Sequence, residues 1–199
     1  MAEPLSVAVL GSGIGADHCD AYARMPELFR VDAIVDHAQA RATALAVRMG
    51  ATTVLRDAEA LFEAGRRFDI VDICLPPGAH RACIDSALVH GAHVVCEKPV
   101  LDGLAGLDAV ADAARAAGRV VMPIFNCRFG HGFRALQALI AEGLPGAPVA
   151  AHLAVQWERD ETYFAARWRR SRAGSFGGVL AAQSIHHLDM ATELMGEPA

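Results

Sequence analysis

The chain has 199 residues, a formal net charge of −5 and 53% apolar residues, and only 21% of its residues are charged. This composition excludes a disordered chain, and the length suffices for one or two domains with a buried core. The acidic balance predicts no nucleic-acid partner. No apolar window reaches about 18 residues, so we predict no membrane span. No basic stretch precedes the first apolar run, so we predict no signal peptide. Five cysteines without a CxxC pair favour reduced, buried thiols in a cytoplasmic protein.

Short apolar runs alternate with longer helical patterns over the first 122 residues. The predicted strands are 6–10, 31–35, 52–55, 70–75, 93–96 and 119–122. The predicted helices are 16–25, 38–49, 58–64, 80–90 and 104–117. This alternation predicts an α/β fold with right-handed βαβ units and a doubly wound parallel sheet, the architecture of a dinucleotide-binding domain.

The pattern changes after residue 122. We predict a helix over 133–142, a strand over 149–157, a polar segment over 159–178 and a helix or extended segment over 179–195. A lone strand has no partner for its backbone hydrogen bonds, so this part makes a poor second domain by itself. The sequence therefore predicts a dinucleotide-binding domain over 1–122 and a truncated α+β domain over 123–199.

A glycine-rich turn follows the first predicted strand. Its residues are Gly11, Ser12, Gly13, Ile14, Gly15 and Ala16. Gly11 allows a tight turn, Gly13 lets a pyrophosphate approach the backbone, and Gly15 or Ala16 lets helix and strand pack closely. The N–H groups at the start of the helix would then face the phosphates. A glycine turn without a nucleotide is the alternative.

Asp36 ends the second predicted strand, 21 residues after Gly15. A carboxylate at this place accepts hydrogen bonds from the ribose hydroxyls of NAD and repels the additional phosphate of NADP. We therefore expect NAD as the cofactor. His37 and Arg41 lie close to Asp36 in the sequence, so use of NADP stays open.

Two proline-containing turns follow later strands. Pro76 and Pro77 precede His80 and predict either a rigid lip over the cofactor or an ordinary loop before a helix. Glu97-Lys98-Pro99 follows the fifth strand, at the sheet edge where ligands bind. Lys98 either polarises a substrate hydroxyl or carbonyl or is an exposed lysine beside a turn.

A histidine pair lies near the end of the sequence. His186 is suited to remove a hydroxyl proton, and Asp189 lies one helical turn later, where it could orient that ring. Histidines of the helix surface or core are the alternative. Adjacent histidines point about 100° apart on a helix and no HExxH spacing occurs, so we predict no metal site. The nearby arginines at 167–172 predict either a solvated loop or a contact with an anion.

Together these motifs resemble the glucose–fructose oxidoreductase/inositol dehydrogenase (Gfo/Idh/MocA) family. The resemblance is carried by the glycine turn with His18, by Pro76-Pro77 with His80, by Glu97-Lys98-Pro99, by Asn126-Cys127-Arg128-Phe129, and by Gly177-Gly178 leading to His186-His187-Leu188-Asp189. It implies NAD(P)-dependent oxidation or reduction of a sugar, a polyol or a related alcohol. It also implies a substrate-binding role for the second domain.

The resemblance further implies roles for individual residues. Lys98 would bind the reacting hydroxyl near the nicotinamide, and His186 would be the acid/base. Residues expected at the cofactor are Gly11, Gly13, Ile14, Gly15, Ala16, Asp36, Pro76, Pro77, His80, Glu97 and Lys98. Those expected near the substrate are Arg128, His187 and Asp189.

Two departures from the family pattern qualify this expectation. Ala182 stands where many members carry an aspartate that assists the histidine. The chain also ends after the first elements of a C-terminal domain whose open sheet commonly forms the oligomer interface, so a homo-oligomer stays open. A non-catalytic NAD-binding fragment or degenerate member is therefore the alternative to an active oxidoreductase.

Overall fold

The chain forms two compact units, Met1–Pro123 and Ile124–Ala199. A computed structural model describes residues 3–63, 65–101 and 103–196. The first unit contains a six-stranded sheet in the order β3-β2-β1-β4-β5-β6, and every neighbouring pair of strands is parallel. The strands are β1 (Leu5–Leu10), β2 (Phe29–Val35), β3 (Thr53–Leu55), β4 (Ile70–Ile73), β5 (His93–Cys96) and β6 (Val121–Pro123).

Helices cover both faces of this sheet. They are α1 (Gly15–Tyr22), α2 (Gln39–Met49), α3 (Ala58–Glu63), α4 (His80–Val89) and α5 (Leu104–Ala117). On one face Leu10 and Ile73 share a buried apolar cluster with Ile84 of α4. On the other face Val9 and Ile34 pack with residues of α1 and α2. Because both faces are buried, the strands are continuous apolar runs rather than alternating ones.

The predicted fold class is confirmed, and in the first unit the errors lie at the ends of elements. α1 ends at Tyr22 and not at residue 25, because the residue before Pro26 is disfavoured in a helical conformation. β6 lies over Val121–Pro123 rather than 119–122. Pro123 is tolerated there because β6 is an edge strand and pairs only with β5.

The second unit is helical in its described part. It contains α6 (His131–Ala141), α7 (Glu161–Phe164) and α8 (Ile185–Met195), and α8 is preceded by a π-helical turn at Leu180–Ser184. The prediction of a strand over 149–157 is wrong, since these residues have no regular secondary structure. No strand is found in the described residues of this unit, so the segment has no neighbour with which to form a hydrogen-bonded ladder.

Within the described ranges, no helix is both long and apolar enough to cross a membrane.

Candidate functional site

The strand order places a topological switch point between β1 and β4 in the first unit. Ligands of doubly wound proteins bind in the crevice outside the carboxyl ends of the strands at such a point. The glycine turn follows β1, Pro76 and Pro77 follow β4, and Glu97 follows β5. The fold thus brings these three segments, predicted separately from the sequence, to one edge of the sheet.

The glycine turn shows which of its glycines are required by packing. Gly11 has a φ of +98°, and a Cβ atom there would collide with the Cys74 carbonyl oxygen. A Cβ atom on Gly15 would lie 2.9 Å from Cγ1 of Val9. A Cβ atom on Gly13, in contrast, would meet no atom within 4 Å. No contact within the described residues explains glycine at position 13, whereas the predicted close approach of a pyrophosphate would explain it.

The N-terminus of α1 adds donors to this turn. The helix begins at Gly15, and its N-cap residue Ile14 is about half exposed, while Ala16 is partly buried. The first N–H groups of a helix have no partner within the helix, and the helix dipole favours an anion at this end. The turn therefore fits the pyrophosphate of a dinucleotide.

Asp36 is buried at the end of β2 and accepts several hydrogen bonds. The backbone N–H of Ser12 lies 2.8 Å and its hydroxyl 2.6 Å from Oδ2, and the N–H of Ala38 lies 2.8 Å from Oδ1. Burial alone would raise the pKa of Asp36, but the hydrogen bonds from Ser12, Arg41 and Ala38 lower this pKa far below its usual range. Asp36 is therefore a permanent anion that fixes the glycine turn to β2.

Arg41 lies across the same carboxylate. Its guanidinium donates to Oδ2 of Asp36 at 2.9 Å and to the Ser12 hydroxyl at 2.8 Å. The Nδ1 atom of His37 lies 3.3 Å from Oδ1. Because the Arg41 side chain is 56% exposed, it can move aside when ribose hydroxyls approach Asp36. The structure thus places the Arg41 and His37 side chains on the carboxylate that is predicted to select NAD over NADP.

His80, which the sequence places at the cofactor, is bound to backbone carbonyl groups in the structure. The side chain is fully buried, and its Nδ1 and Nε2 atoms lie 3.0 Å from the Pro99 carbonyl oxygen and 2.8 Å from that of Leu75. The His80 ring therefore joins the loop after β4 to the turn after β5. Pro76 is exposed, whereas Pro77 is buried at the start of a short 3₁₀ turn. The segment is a short turn before α4, and its contact with the cofactor stays a prediction.

The Glu97-Lys98-Pro99 turn follows β5 directly. The Glu97 N–H donates to the Ile73 carbonyl at 2.9 Å, and the Lys98 N–H donates to Oε2 of Glu97 at 3.1 Å. Lys98 is partly buried. It is also the only lysine in the sequence, since the other cationic side chains among the 18 Lys and Arg are arginines. The chain thus keeps an ammonium group at this place and uses guanidinium groups everywhere else.

A buried polar cluster lies behind this turn. The His18 ring on α1 reaches Oδ2 of Asp72 through Nδ1 at 2.9 Å and Oε1 of Glu97 through Nε2 at 3.3 Å. The Tyr22 hydroxyl donates to Oδ2 of Asp72 at 2.9 Å, and the Cys74 sulfur lies 3.4 Å from Oδ1. The polar atoms of His18, Asp72 and Cys74 lie within 4.8 Å of one another. Hydrogen bonds between them account for this proximity.

The charges in the cluster shift several pKa values. Burial lowers the pKa of His18, but the hydrogen bonds and charges of Asp72 and Glu97 outweigh burial and raise it to about 10. Burial raises the pKa of Glu97, and the hydrogen bond from His18 and the charge of Lys98 bring it below its usual range. His18 is therefore an imidazolium that donates to both carboxylates.

The histidine pair of the second unit lies at the start of α8. His186 is buried, and its ring lies 6.1 Å from that of Phe125 in an edge-to-face contact. The His187 ring makes a similar contact with Trp157 at 5.9 Å. The orientation of His186 by Asp189 stays a prediction. Asp189 forms a two-point ion pair with Arg128, at 2.6 and 2.7 Å.

Two further features of this unit involve the Tyr163 side chain. The π-helical turn before α8 contains Ala182 and Gln183, and the buried Gln183 amide donates to the Tyr163 hydroxyl at 3.2 Å. The Arg169 guanidinium lies over the rings of Tyr163 and Trp168, at 4.3 and 5.0 Å from their centroids. Arg169 is thus packed on aromatic rings rather than solvated, which neither interpretation of the arginine segment anticipated.

Two known family domains match the sequence. Residues 5–125 match an oxidoreductase family with an NAD-binding Rossmann fold, and residues 133–199 match the GFO/IDH/MocA C-terminal domain. The chain belongs to the Gfo/Idh/MocA family. The resemblance inferred from the sequence motifs is therefore confirmed, as is the expectation of an NAD-binding fold.

Several characterised members of this family are similar to the chain. D-glucoside 3-dehydrogenase from Escherichia coli (strain K12) is 30% identical over 198 residues, which are 98% of this chain and 55% of that protein. Inositol 2-dehydrogenase from Rhodococcus erythropolis (strain PR4 / NBRC 100887) is 32% identical over 155 residues, 76% of this chain and 44% of that protein. The chain thus spans about half the length of these relatives.

A solved structure shares the fold of this Gfo/Idh/MocA chain. It is the WlbA dehydrogenase from Bordetella pertussis in complex with NADH and UDP-GlcNAcA, with a TM-score of 0.87 and 24% identity. The match covers 98% of this chain and 56% of that one.

Sequence reasoning missed the connections within the site. It named His18 only as part of the family resemblance and did not single out Asp72 or Tyr22. A signal for Asp72 was present, because an acidic residue inside the buried strand Ile70–Ile73 requires a partner. The identity of that partner could not be read, since His18 lies 54 residues away along the chain.

Proposed function

We propose that this protein transfers hydride between NAD and an alcohol carbon of a sugar, a polyol or a related compound. The observation that carries this proposal is the single lysine of the chain, Lys98, which follows β5 at the ligand-binding edge of an NAD-binding fold. The similar relatives named above support the substrate class, since their names specify a glucoside and inositol as substrates.

The residues of the first unit would hold NAD in two places. The turn from Gly11 to Ala16 would receive the pyrophosphate, and Asp36 would accept the adenosine ribose hydroxyls after Arg41 moves aside. A 2′-phosphate would meet the buried Asp36 anion, so NAD is the preferred cofactor. Arg41 and His37 would weaken this preference, because they lie beside the Asp36 carboxylate.

Lys98 would bind the reacting hydroxyl and stabilise the developing alkoxide. An ammonium group is a compact charge with three N–H donors, whereas a guanidinium is a broad planar fork that suits carboxylates and phosphates. The retention of one lysine in an otherwise arginine-using chain is consistent with this requirement. Glu97 would lie beside the nicotinamide ribose.

His186 would take the hydroxyl proton. A neutral imidazole is suited to this step near neutral pH. Bound NAD would supply the hydride acceptor, and NADH the hydride for the reverse reaction. The Arg128–Asp189 ion pair would fix α8, which carries His186, to the turn at Asn126–Phe129.

We further propose a cytoplasmic location, because the five cysteines are free thiols and four of them are buried. A homo-oligomer remains part of this proposal on the basis of the family resemblance alone.

A substrate panel with a lysine variant tests the proposal. We expect the unmodified chain to reduce NAD⁺ with at least one cyclic polyol or glycoside, measured by NADH absorbance. Lys98→Ala should abolish turnover while leaving the dissociation constant of NADH nearly unchanged, and Lys98→Arg should not restore turnover. His90→Gln is the control, because His90 is exposed and follows the C-terminal end of α4, whereas the site lies near the other end of this helix.

Full activity of Lys98→Ala would refute the assignment of Lys98. A second candidate function, NAD binding without turnover, is favoured by Ala182 at the position of the family aspartate. Tight binding of NADH by the unmodified chain without turnover across the whole panel would establish that alternative.

A further inference from the structure

The Glu97 side chain is held from two sides in the first unit. Its Oε2 atom accepts from the Lys98 N–H at 3.1 Å, and its Oε1 atom accepts from Nε2 of His18 at 3.3 Å. The other nitrogen of the same His18 ring donates to Asp72 at 2.9 Å. One imidazolium ring therefore connects α1, β4 and the turn after β5.

The position of His18 on α1 gives this connection a consequence. α1 begins at Gly15, so His18 lies in the first turns of the helix whose N-terminus borders the glycine turn. The ring thus joins the segment that would receive the pyrophosphate to the segment that carries Lys98. A shift of α1 would be transmitted to Glu97 through this ring.

The cluster has few charged members. Tyr22 and Cys19 of α1 and Cys74, which directly follows β4, face the cluster, and burial raises the pKa of each of them, so they stay neutral. The acidic and basic side chains at the cluster are Asp72, Glu97, His18 and Lys98. Asp72 is fully buried, and a buried carboxylate requires compensation by a cation or by strong donors. His18 is in direct contact with this carboxylate, at 2.9 Å.

We propose that His18 is a positioning residue, whose charged ring fixes the Glu97 carboxylate and thereby aligns the Glu97-Lys98-Pro99 turn with the glycine turn. The significance of this alignment for catalysis rests on the proposed function. The alternative is a purely structural ring that only neutralises Asp72. The two possibilities differ in what happens to Glu97 when both His18 and Asp72 lose their charges.

NMR of the carboxyl and imidazole groups in the protein without cofactor distinguishes the positioning role of His18 from a purely structural one. Long-range ¹H–¹⁵N spectra report the protonation of His18, and ¹³C-labelled glutamate reports the titration of Glu97, with Glu97→Gln for assignment. In the unmodified protein we expect both His18 nitrogens to carry protons at pH 8. A neutral ring at pH 8 would overturn the proposal without any variant being needed.

Three variants then test the effect on Glu97. In His18→Gln, we expect the Glu97 titration midpoint to rise by about one pH unit or more, because an opposite charge has been removed while burial remains. In the double variant His18→Gln/Asp72→Asn, folding stability should recover, because no uncompensated carboxylate is left at position 72, while the Glu97 midpoint stays raised. His90→Gln should leave the midpoint unchanged.

The outcomes decide between positioning and structure alone. An unchanged Glu97 midpoint in His18→Gln, or its return to the unmodified value in the double variant, would leave His18 with a structural role only. A final comparison measures NADH binding, which should be roughly tenfold weaker in the stable double variant than in His90→Gln. Equal affinities would overturn the proposal, whereas absence of NADH binding in the unmodified protein would refute the proposed function and leave the NMR result standing.

Discussion

Replacement of Gly13 by alanine should separate cofactor binding from folding. The new methyl group would meet no atom within 4 Å, and the backbone of Gly13 does not have a positive φ. Alanine should therefore not destabilise the fold, and it should add about 0.4–1 kcal/mol by restricting the unfolded chain. The same methyl group would project over the turn where the pyrophosphate would approach. NADH binding should weaken at least about tenfold, or about 1.4 kcal/mol.

Gly15→Ala is the matched control for this prediction. Its Cβ atom would lie 2.9 Å from Cγ1 of Val9 and 3.3 Å from Cβ of Cys74. Because Val9 is completely buried, the added methyl group should overpack the core and destabilise the fold by about 1–3 kcal/mol. Urea unfolding and NADH fluorescence titration of both variants measure the two effects separately. A Gly13→Ala variant that binds NADH as tightly as the unmodified chain would refute the placement of the pyrophosphate on this turn.

Three further predictions concern single side chains. Asp36→Ala should weaken NADH binding by about tenfold or more, because hydrogen bonds to a charged acceptor contribute about 1.5–3 kcal/mol each. NADPH binding should weaken less. Parallel titrations in which the ratio of the NADH and NADPH dissociation constants is unchanged would contradict the role of Asp36. The raised pKa of His18, about 10 against 6.5, predicts a contribution to stability that is complete below pH 6.5 and lost as the pH rises through 10. The free energy of urea unfolding of the unmodified chain should therefore approach that of His18→Gln between pH 7 and 10, and a constant difference would contradict the charged ring. Asp189→Asn should lower stability by no more than about 1 kcal/mol, because its partner Arg128 is 40% exposed. It should also leave the pH profile of turnover unchanged, whereas a shifted profile would show that Asp189 acts on His186.

The sequence predicted those parts of the structure that depend on local patterns. β5 and α5 have the predicted bounds, because each apolar or helical run ends at an unambiguous signal such as Gly118, which caps α5 with a φ of +61°. The glycine turn and the Glu97-Lys98-Pro99 turn could be placed at one sheet edge, because parallel strands bring their carboxyl ends together.

The remaining features depend on contacts between distant residues, which periodicity does not report. The segment 149–157 has a strand-like composition but no neighbouring strand within the described part of its unit. His80 precedes Pro99 by 19 residues, and its ring binds the Pro99 carbonyl oxygen. Arg128 and Asp189 are 61 residues apart and form an ion pair. Local spacing indicated only His186 as a neighbour of Asp189.

Calorimetric titration of the purified 199-residue chain with NADH and, separately, with NADPH tests the central claim most directly. The account predicts saturable binding of one nucleotide per chain, tighter for NADH than for NADPH, because the buried Asp36 anion would lie beside the adenosine ribose. Absence of binding to both nucleotides, or tighter binding of NADPH, would contradict it.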